Sequence, residues 1–131
     1  MTLNASAKES LEVAELLFKA IERGDVDSIK KTIYATDAKI WHNFDDKEQS
    51  VNENLATLKW AVENIIGISY KEVRRQSTPT GFVQQHVLRG KLKDSGEHIS
   101  IPACIVCTVE NGLITRLDEY LDSAQIARLR N

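Results

Sequence analysis

The sequence holds few residues equipped to move a proton at neutral pH, and two of them stand where strand alternation would turn them into an apolar interior. In Phe82-Val83-Gln84-Gln85-His86-Val87-Leu88, a strand that points His86 inward also points Phe82, Gln84 and Leu88 inward and leaves Val83, Gln85 and Val87 outside. In Arg116-Leu117-Asp118-Glu119-Tyr120-Leu121, the same rule groups Glu119 with Leu117 and Leu121. Both inward sets are mainly apolar with one or two polar interruptions, the composition of a small-molecule pocket. A glutamate buried alone is costly. Beside an imidazole it becomes an acid/base pair whose protonation the surroundings tune. His86 and Glu119 are therefore the expected catalytic pair, with Phe82, Gln84 and Leu117 around the substrate.

Each of these residues also has a structural reading. His86 serves equally as a strand histidine bonded to a neighbouring carbonyl, and the Asp118-Glu119 pair leaves the phase of its strand open. His42 and Asn43 fit the end of a strand, and Trp41, Phe44, Trp60 and Phe82 fit a core. His98 stands beside a turn, and Arg74 and Arg75 read as a solvated strand. His42, His86 and Glu119 are the residue types of a two-His-one-carboxylate iron site but lack its short local spacing, so no metal is expected. Cys104 and Cys107 form C-x-x-C without the second pair a zinc site needs, inside a strand rather than at a helix start. They read as two small apolar strand residues.

The elements that must position these groups follow from periodicity. Ser6-Ala7-Lys8-Glu9 matches a capping box, and Leu11, Ala14, Leu17, Phe18 and Ile21 recur on one helical face up to Gly24. Asp25 can cap a short second helix through Ile29 and Ile33. A short strand follows, Ala38-Lys39-Ile40-Trp41-His42-Asn43-Phe44. Ser50-Val51-Asn52-Glu53 is a second capping box, opening a helix with Val51, Leu55, Leu58, Val62 and Ile65 on one face and Gly67 at its stop. Segments 68–78, 82–93, 98–109 and 113–121 are strand-like, separated by Pro79-Thr80-Gly81, Asp94-Ser95-Gly96 and Glu110-Asn111-Gly112, of which Asn-Gly is the sharpest hairpin signal. Ser123 caps a last stretch through Ile126 and Leu129. Helices first and antiparallel strands afterwards argue an α+β domain.

The totals agree with one domain over 1–131. Of the 131 residues 42% are hydrophobic and 27% charged, and the net charge is −2. That is an ordinary composition, with no basic stripe for nucleic acid. The longest apolar stretches fall far short of the roughly 20 residues of a membrane span. The N-terminal segment has acids inside its apolar stretch and no basic start, so the expected location is cytoplasmic. No nucleotide or phosphate motif is present, and no cofactor is expected.

This element order, with IERGDVDSIKKTIYATDAKIWHN near the start and NGLITRLDEYLD near the end, resembles the SnoaL-like branch of the nuclear transport factor 2-like superfamily over about residues 8 to 122. The resemblance implies a cystatin-like α+β barrel: a cone-shaped, strongly curved mixed/antiparallel sheet with three N-terminal helices closing a central pocket. It includes polyketide cyclases, limonene epoxide hydrolases and ketosteroid isomerases alongside non-catalytic modules, so it gives the place of a ligand more than its chemistry. The isomerase positions resemble His42, Leu17 and Cys104 here, and neither Leu nor Cys replaces the donors a developing enolate needs. The epoxide hydrolase positions resemble Trp41, Asn43, Gln84, His86 and Glu119. On that resemblance Trp41, His42 and Asn43 join the substrate-binding set.

The expected function is cofactor-independent acid/base chemistry of the cyclase, dehydratase or hydrolase type on a small apolar or polycyclic molecule. A module that holds a hydrophobic ligand unchanged, or one that works through its outer sheet face, is the alternative. The outward set Val83, Val87, Ile101, Ile105 and Val109 leads to the expectation of a homodimer through the convex face.

Overall fold

A computed structural model describes residues 5–129. Helix α1 spans Ala5–Glu22 and buries Val13, Ala14, Leu17, Phe18 and Ile21 along one face. Because the helix already includes Ala5, Ser6 lies inside its first turn and is not its cap. At its other end Asp25 N–H reaches back to the Ala20 carbonyl (2.8 Å), and Asp25 then caps the next turn by accepting from Ser28 N–H (3.2 Å). That turn, α2 (Val26–Ser28), runs into a π-helical turn at Ile29–Ile33, which buries Ile29 and Ile33.

Strand β1 spans Tyr34–His42, four residues longer at its start than the periodicity predicts, and β2 (Lys47–Gln49) is a short edge strand the sequence did not announce. The second capping box is present in full: Ser50 Oγ accepts from Glu53 N–H, and Glu53 Oε1 accepts from Ser50 N–H. It opens α3 (Val51–Asn64), which ends three residues before Gly67 and passes directly into β3 (Ile65–Thr78). Strands β4 (Gly81–Leu92), β5 (His98–Glu110) and β6 (Leu113–Leu121) follow as hairpins. The β5–β6 turn holds Asn111 and Gly112 at φ of 52° and 76°. Two successive left-handed residues make the turn that matches strand twist, and Asn-Gly tolerates them best. The last helix, α4 (Ser123–Leu129), is capped by Asp122, whose Oδ1 accepts from Ala124 N–H, rather than by Ser123.

The six strands form one sheet in the order β2-β1-β6-β5-β4-β3, antiparallel throughout except for the parallel pair β1–β6. This is the mixed α+β architecture expected, with the sheet left open at β2 and β3 rather than closed as a barrel. Helices α1 and α3 pack across one face, and the core lies beneath them. No helix among the described residues is long and apolar enough to cross a membrane.

Sheet register fixes which side chains share that covered face. Partners in adjacent strands lie on the same side, so Arg75, Gln84, Ile105, Glu119 and His42 make one row running from β3 across to β1. His86, Ala103 and Leu121 make the next row.

Candidate active site

A cavity of about 680 Å³ lies between this face and helices α1, α3 and α4. Its walls are mainly apolar: Leu17, Ile40, Ile105 and Leu117 deep inside, with Trp60, Ile126 and Leu129 contributed by α3 and α4. His42 and Glu119 also line it, and His42 Nε2 lies 3.1 Å from Glu119 Oε1. The imidazole is 7% exposed and the carboxyl 19%, so the pair is sheltered yet open toward the cavity. Parallel pairing of β1 with β6 sets His42 directly opposite Glu119, which explains the contact.

His86 does not make that contact. Strand β5 lies between β4 and β6, so two strand spacings, about 10 Å, separate the backbones that carry His86 and Glu119. The expected His86–Glu119 pair is therefore replaced by His42–Glu119. His86 is buried, but it sits behind the rings of Phe18 (centroids 5.5 Å) and Tyr70 (4.8 Å), both of which line the cavity while His86 does not. Its Nδ1 is 2.9 Å from Gln84 Nε2.

Of the expected substrate-binding residues, His42 and Leu117 line the cavity and the rest do not. Phe82 and Gln84 face inward with no exposed surface and are sealed in the core. Trp41 turns to the opposite face, stacked edgewise on Tyr120 and donating its indole N–H to Asp46 (2.8 Å). Asn43 is spent on backbone: it accepts from Leu121 N–H and donates to the Leu121 carbonyl, tying the end of β1 to β6. Arg75 is not solvated either. Its side chain is 18% exposed, donates from Nε to Gln84 Oε1 (2.6 Å) and pairs with Glu15 (3.0 Å).

Three phenol- or amide-bearing residues of the cavity were not expected from the sequence. Tyr34 donates its hydroxyl to Asn54 Oδ1 (2.8 Å), and Asn54 donates onward to Gln49 (3.2 Å). Tyr70 is the third. Burial pushes the Tyr34 and Tyr70 phenols up from their ordinary value, and the Glu119 carboxylate adds to this, so both stay protonated. Asn54 had a visible signal, because it lies three residues after Val51 and four before Leu58, on the apolar face of α3. Tyr34 had none, falling where the predicted second helix meets the strand.

On β5, Ile99, Ile101, Ile105 and Cys107 are buried under the helices, whereas Val106 is 40% exposed. Ile101 and Ile105 thus leave the expected outward set, and Val109 is half-buried against the core. Val83 and Val87 stay on the outer face, beside Val106 and Pro102 in register. Cys104 faces out and Cys107 in, both free, as residues three apart on a strand must be. Burial raises the Cys107 thiol well above its usual range, which keeps it unreactive. Among the described residues, no three His, Cys, Asp or Glu side chains converge as metal ligands.

Comparison with solved structures supplies the context for this cavity. A candidate polyketide cyclase from Xanthomonas campestris pv. campestris superposes with a TM-score of 0.82 at 15% identity, over 93% of this chain and 96% of that one. A nuclear transport factor 2-like protein from Burkholderia xenovorans gives 0.77 at 20% identity, over 98% and 100%. An epoxide hydrolase of the limonene epoxide hydrolase-like kind from M. tuberculosis gives 0.74 at 16%, over 95% and 92%. The fold is the nuclear transport factor 2-like cone. No protein-family model matches the sequence, and no curated protein does. At these identities the likeness extends to the fold, and the chemistry rests on this chain's own side chains.

Burial gives His86 a proton-linked role in stability. Desolvation lowers its affinity for a proton, opposed by the Glu119 carboxylate and reinforced by Arg75. The groups packed around it are Phe18 from α1, Tyr70 and Arg75 from β3, and Gln84 on its own strand. The unfolded chain then binds the proton more readily than the folded one, so this contribution is full above the unfolded pKa of about 6.5 and is lost as pH falls below it. Melting temperature should fall between pH 8 and pH 5, and His86→Gln should flatten that slope. An unchanged slope in the variant would assign the proton linkage to another group.

Proposed function

We propose that this chain is a cofactor-independent acid/base enzyme for a small, largely apolar and uncharged molecule, with Glu119 and His42 as its working pair. The observation that carries this is the 3.1 Å contact between His42 and Glu119 at the wall of an otherwise apolar cavity of about 680 Å³. That volume is ordinary for a small-molecule site. A carboxylate that accepts a hydrogen bond from an imidazole can take a proton from carbon or water, and the imidazole can return one to oxygen on the next step. Cyclisation, dehydration and hydrolysis all reduce to such transfers.

The walls support an uncharged substrate. Among the described residues no Lys or Arg lines the cavity, so a bound anion would face Glu119 without compensation from them. The rings of Phe18, Tyr34, Phe44, Trp60 and Tyr70 favour a flat or cyclic hydrocarbon body. A neutral carbonyl, hydroxyl or epoxide placed against Glu119 and His42 completes the fit.

A thermal-shift and turnover panel tests this reading. It pairs bicyclic ketones and terpenoid epoxides with the carboxylic acids of the same skeletons, alongside β-keto esters of polyketide type. Neutral compounds at 100-fold over Kd should stabilise by about 2.7 kcal/mol and at least one should be consumed, while the matched acids leave the melting temperature unmoved. Preferential binding of the acids, or recovery of every bound compound unchanged, would replace the enzyme with a binding module.

A further inference from the structure

His86 carries a hydrogen-bond direction that the neighbouring residues dictate. Arg75 Nε sits 2.6 Å from Gln84 Oε1, and a guanidinium has no acceptor, so the oxygen of the Gln84 amide must face Arg75. The amide nitrogen then faces His86 Nδ1 at 2.9 Å, and an NH₂ group only donates. Nδ1 must therefore offer its lone pair, and in a neutral imidazole the proton resides on Nε2. The amide has no freedom to reverse this, because Gln84 has no exposed surface and Arg75 is itself held by Glu15 at 3.0 Å. Nε2 is buried, and no protein group accepts from it among the described residues.

We propose that Arg75, acting through Gln84, locks His86 as the neutral Nε2–H tautomer, and that this N–H is a donor site for an oxygen acceptor behind Phe18 and Tyr70. The acceptor is either the oxygen of a neutral ligand reaching between those two rings or a single buried water, since both present the same lone pair. A buried N–H without an acceptor forfeits its hydration with nothing in return, which is why the site calls for one. The site is separate from the His42–Glu119 pair: it lies one row further along the sheet and on the far side of β5. Arg75 and Gln84 are positioning residues here, because they act only through the imidazole.

Nitrogen-15 spectra of the histidine side chains in the intact protein read the tautomer directly, with His86 assigned by its loss in His86→Gln. Wild-type protein at pH 7.5 should show Nε2 protonated and Nδ1 bare. In Gln84→Glu the new carboxylate accepts from both Arg75 and His86, so the proton should move to Nδ1 and the imidazole should titrate at higher pH. Arg75→Leu frees the amide to rotate and should give a mixture of tautomers; it also serves as a second route if Gln84→Glu does not fold. A wild-type protein with the proton on Nδ1, or a folded Gln84→Glu with the wild-type tautomer, overturns the proposal. Addition of 2-decalone, a neutral bicyclic ketone, separates the two acceptors. A shifted Nε2–H resonance identifies a ligand oxygen, an unmoved one in slow exchange with solvent identifies water, and an Nε2–H in fast exchange with solvent contradicts a donor site of either kind. None of these readouts requires turnover, so the tautomer lock and the acid/base reading of His42 and Glu119 can fail separately.

Discussion

Glu119→Gln is expected to lower turnover by about 10²-fold or more while leaving ligand affinity within a factor of a few. The substitution keeps the size of the side chain, and its amide oxygen can still accept from His42 Nε2. What it removes is the negative charge and the ability to hold a proton in transit. Leu117, Ile40 and the aromatic walls that contribute most of the binding surface are untouched. His42→Gln should act in the same direction, because the carboxylate loses the imidazole 3.1 Å away that returns the proton. Two groups that work as a unit are non-additive, so the double variant should be little worse than the weaker single one. The measurement is kcat and KM for a compound that the panel shows to be consumed, with ligand affinity measured separately by titration. A loss under threefold in both single variants would remove the acid/base role and leave a protein that holds its ligand without transforming it.

Much of the fold was legible because local rules and tertiary packing agree. The Ser50–Glu53 capping box, the Asn111-Gly112 turn and the alternation around Gln84 and His86 all have causes within a few residues, and all are present in the structure. The candidate site was legible only by halves. Alternation placed Glu119 inward with Leu117 and Leu121, but its partner depends on β1 lying parallel beside β6, a pairing between opposite ends of the chain that no local pattern encodes. The phase of β5 failed for a different reason. Ser100 and Thr108 mark the outward face of Ile99 to Val109, but between them Pro102, Cys104 and Val106 carry no charge, so period two gives only a weak contrast there. The pairing of Gln84 with Ile105 settles the phase, and it turns Ile101 and Ile105 inward. Arg75 shows the limit of reading charge as exposure, since one fixed partner at each end was enough to bring a guanidinium under cover.

Gly81→Ala should be among the most destabilising small substitutions in the chain. Gly81 opens β4, pairs with Thr78 across the hairpin and with Thr108 of β5, and so has strands on both sides. A Cβ built there would lie 2.0 Å from the Cys107 carbonyl oxygen and 2.8 Å from its carbon. Both are backbone atoms of a central strand whose Cys107 side chain is buried, so β5 has little room to retreat. A forced separation of β4 from β5 breaks ladder bonds as well as packing, and the expected loss is about 3 kcal/mol, at the upper end of overpacking costs. Two other glycines give the scale. At Gly90 a Cβ would meet a methyl of the buried Ile65 at 2.5 Å and the Ile66 carbonyl oxygen at 3.2 Å, so a side chain must shift but no backbone atom lies as close as at Gly81. At Gly67 nothing lies within 4 Å, so only the left-handed backbone (φ 67°) opposes alanine. The expected losses are about 2 kcal/mol at Gly90 and about 1 kcal/mol at Gly67. Urea midpoints should therefore rank Gly81→Ala below the other two, with the m-value preserved. A Gly81→Ala protein within 1 kcal/mol of wild type would mean that the β4–β5 ladder yields at its open end. Because that end leads directly into Phe82, Gln84 and His86, the same variant should also disturb the His86 tautomer, joining a stability defect to the donor site further along the same strand.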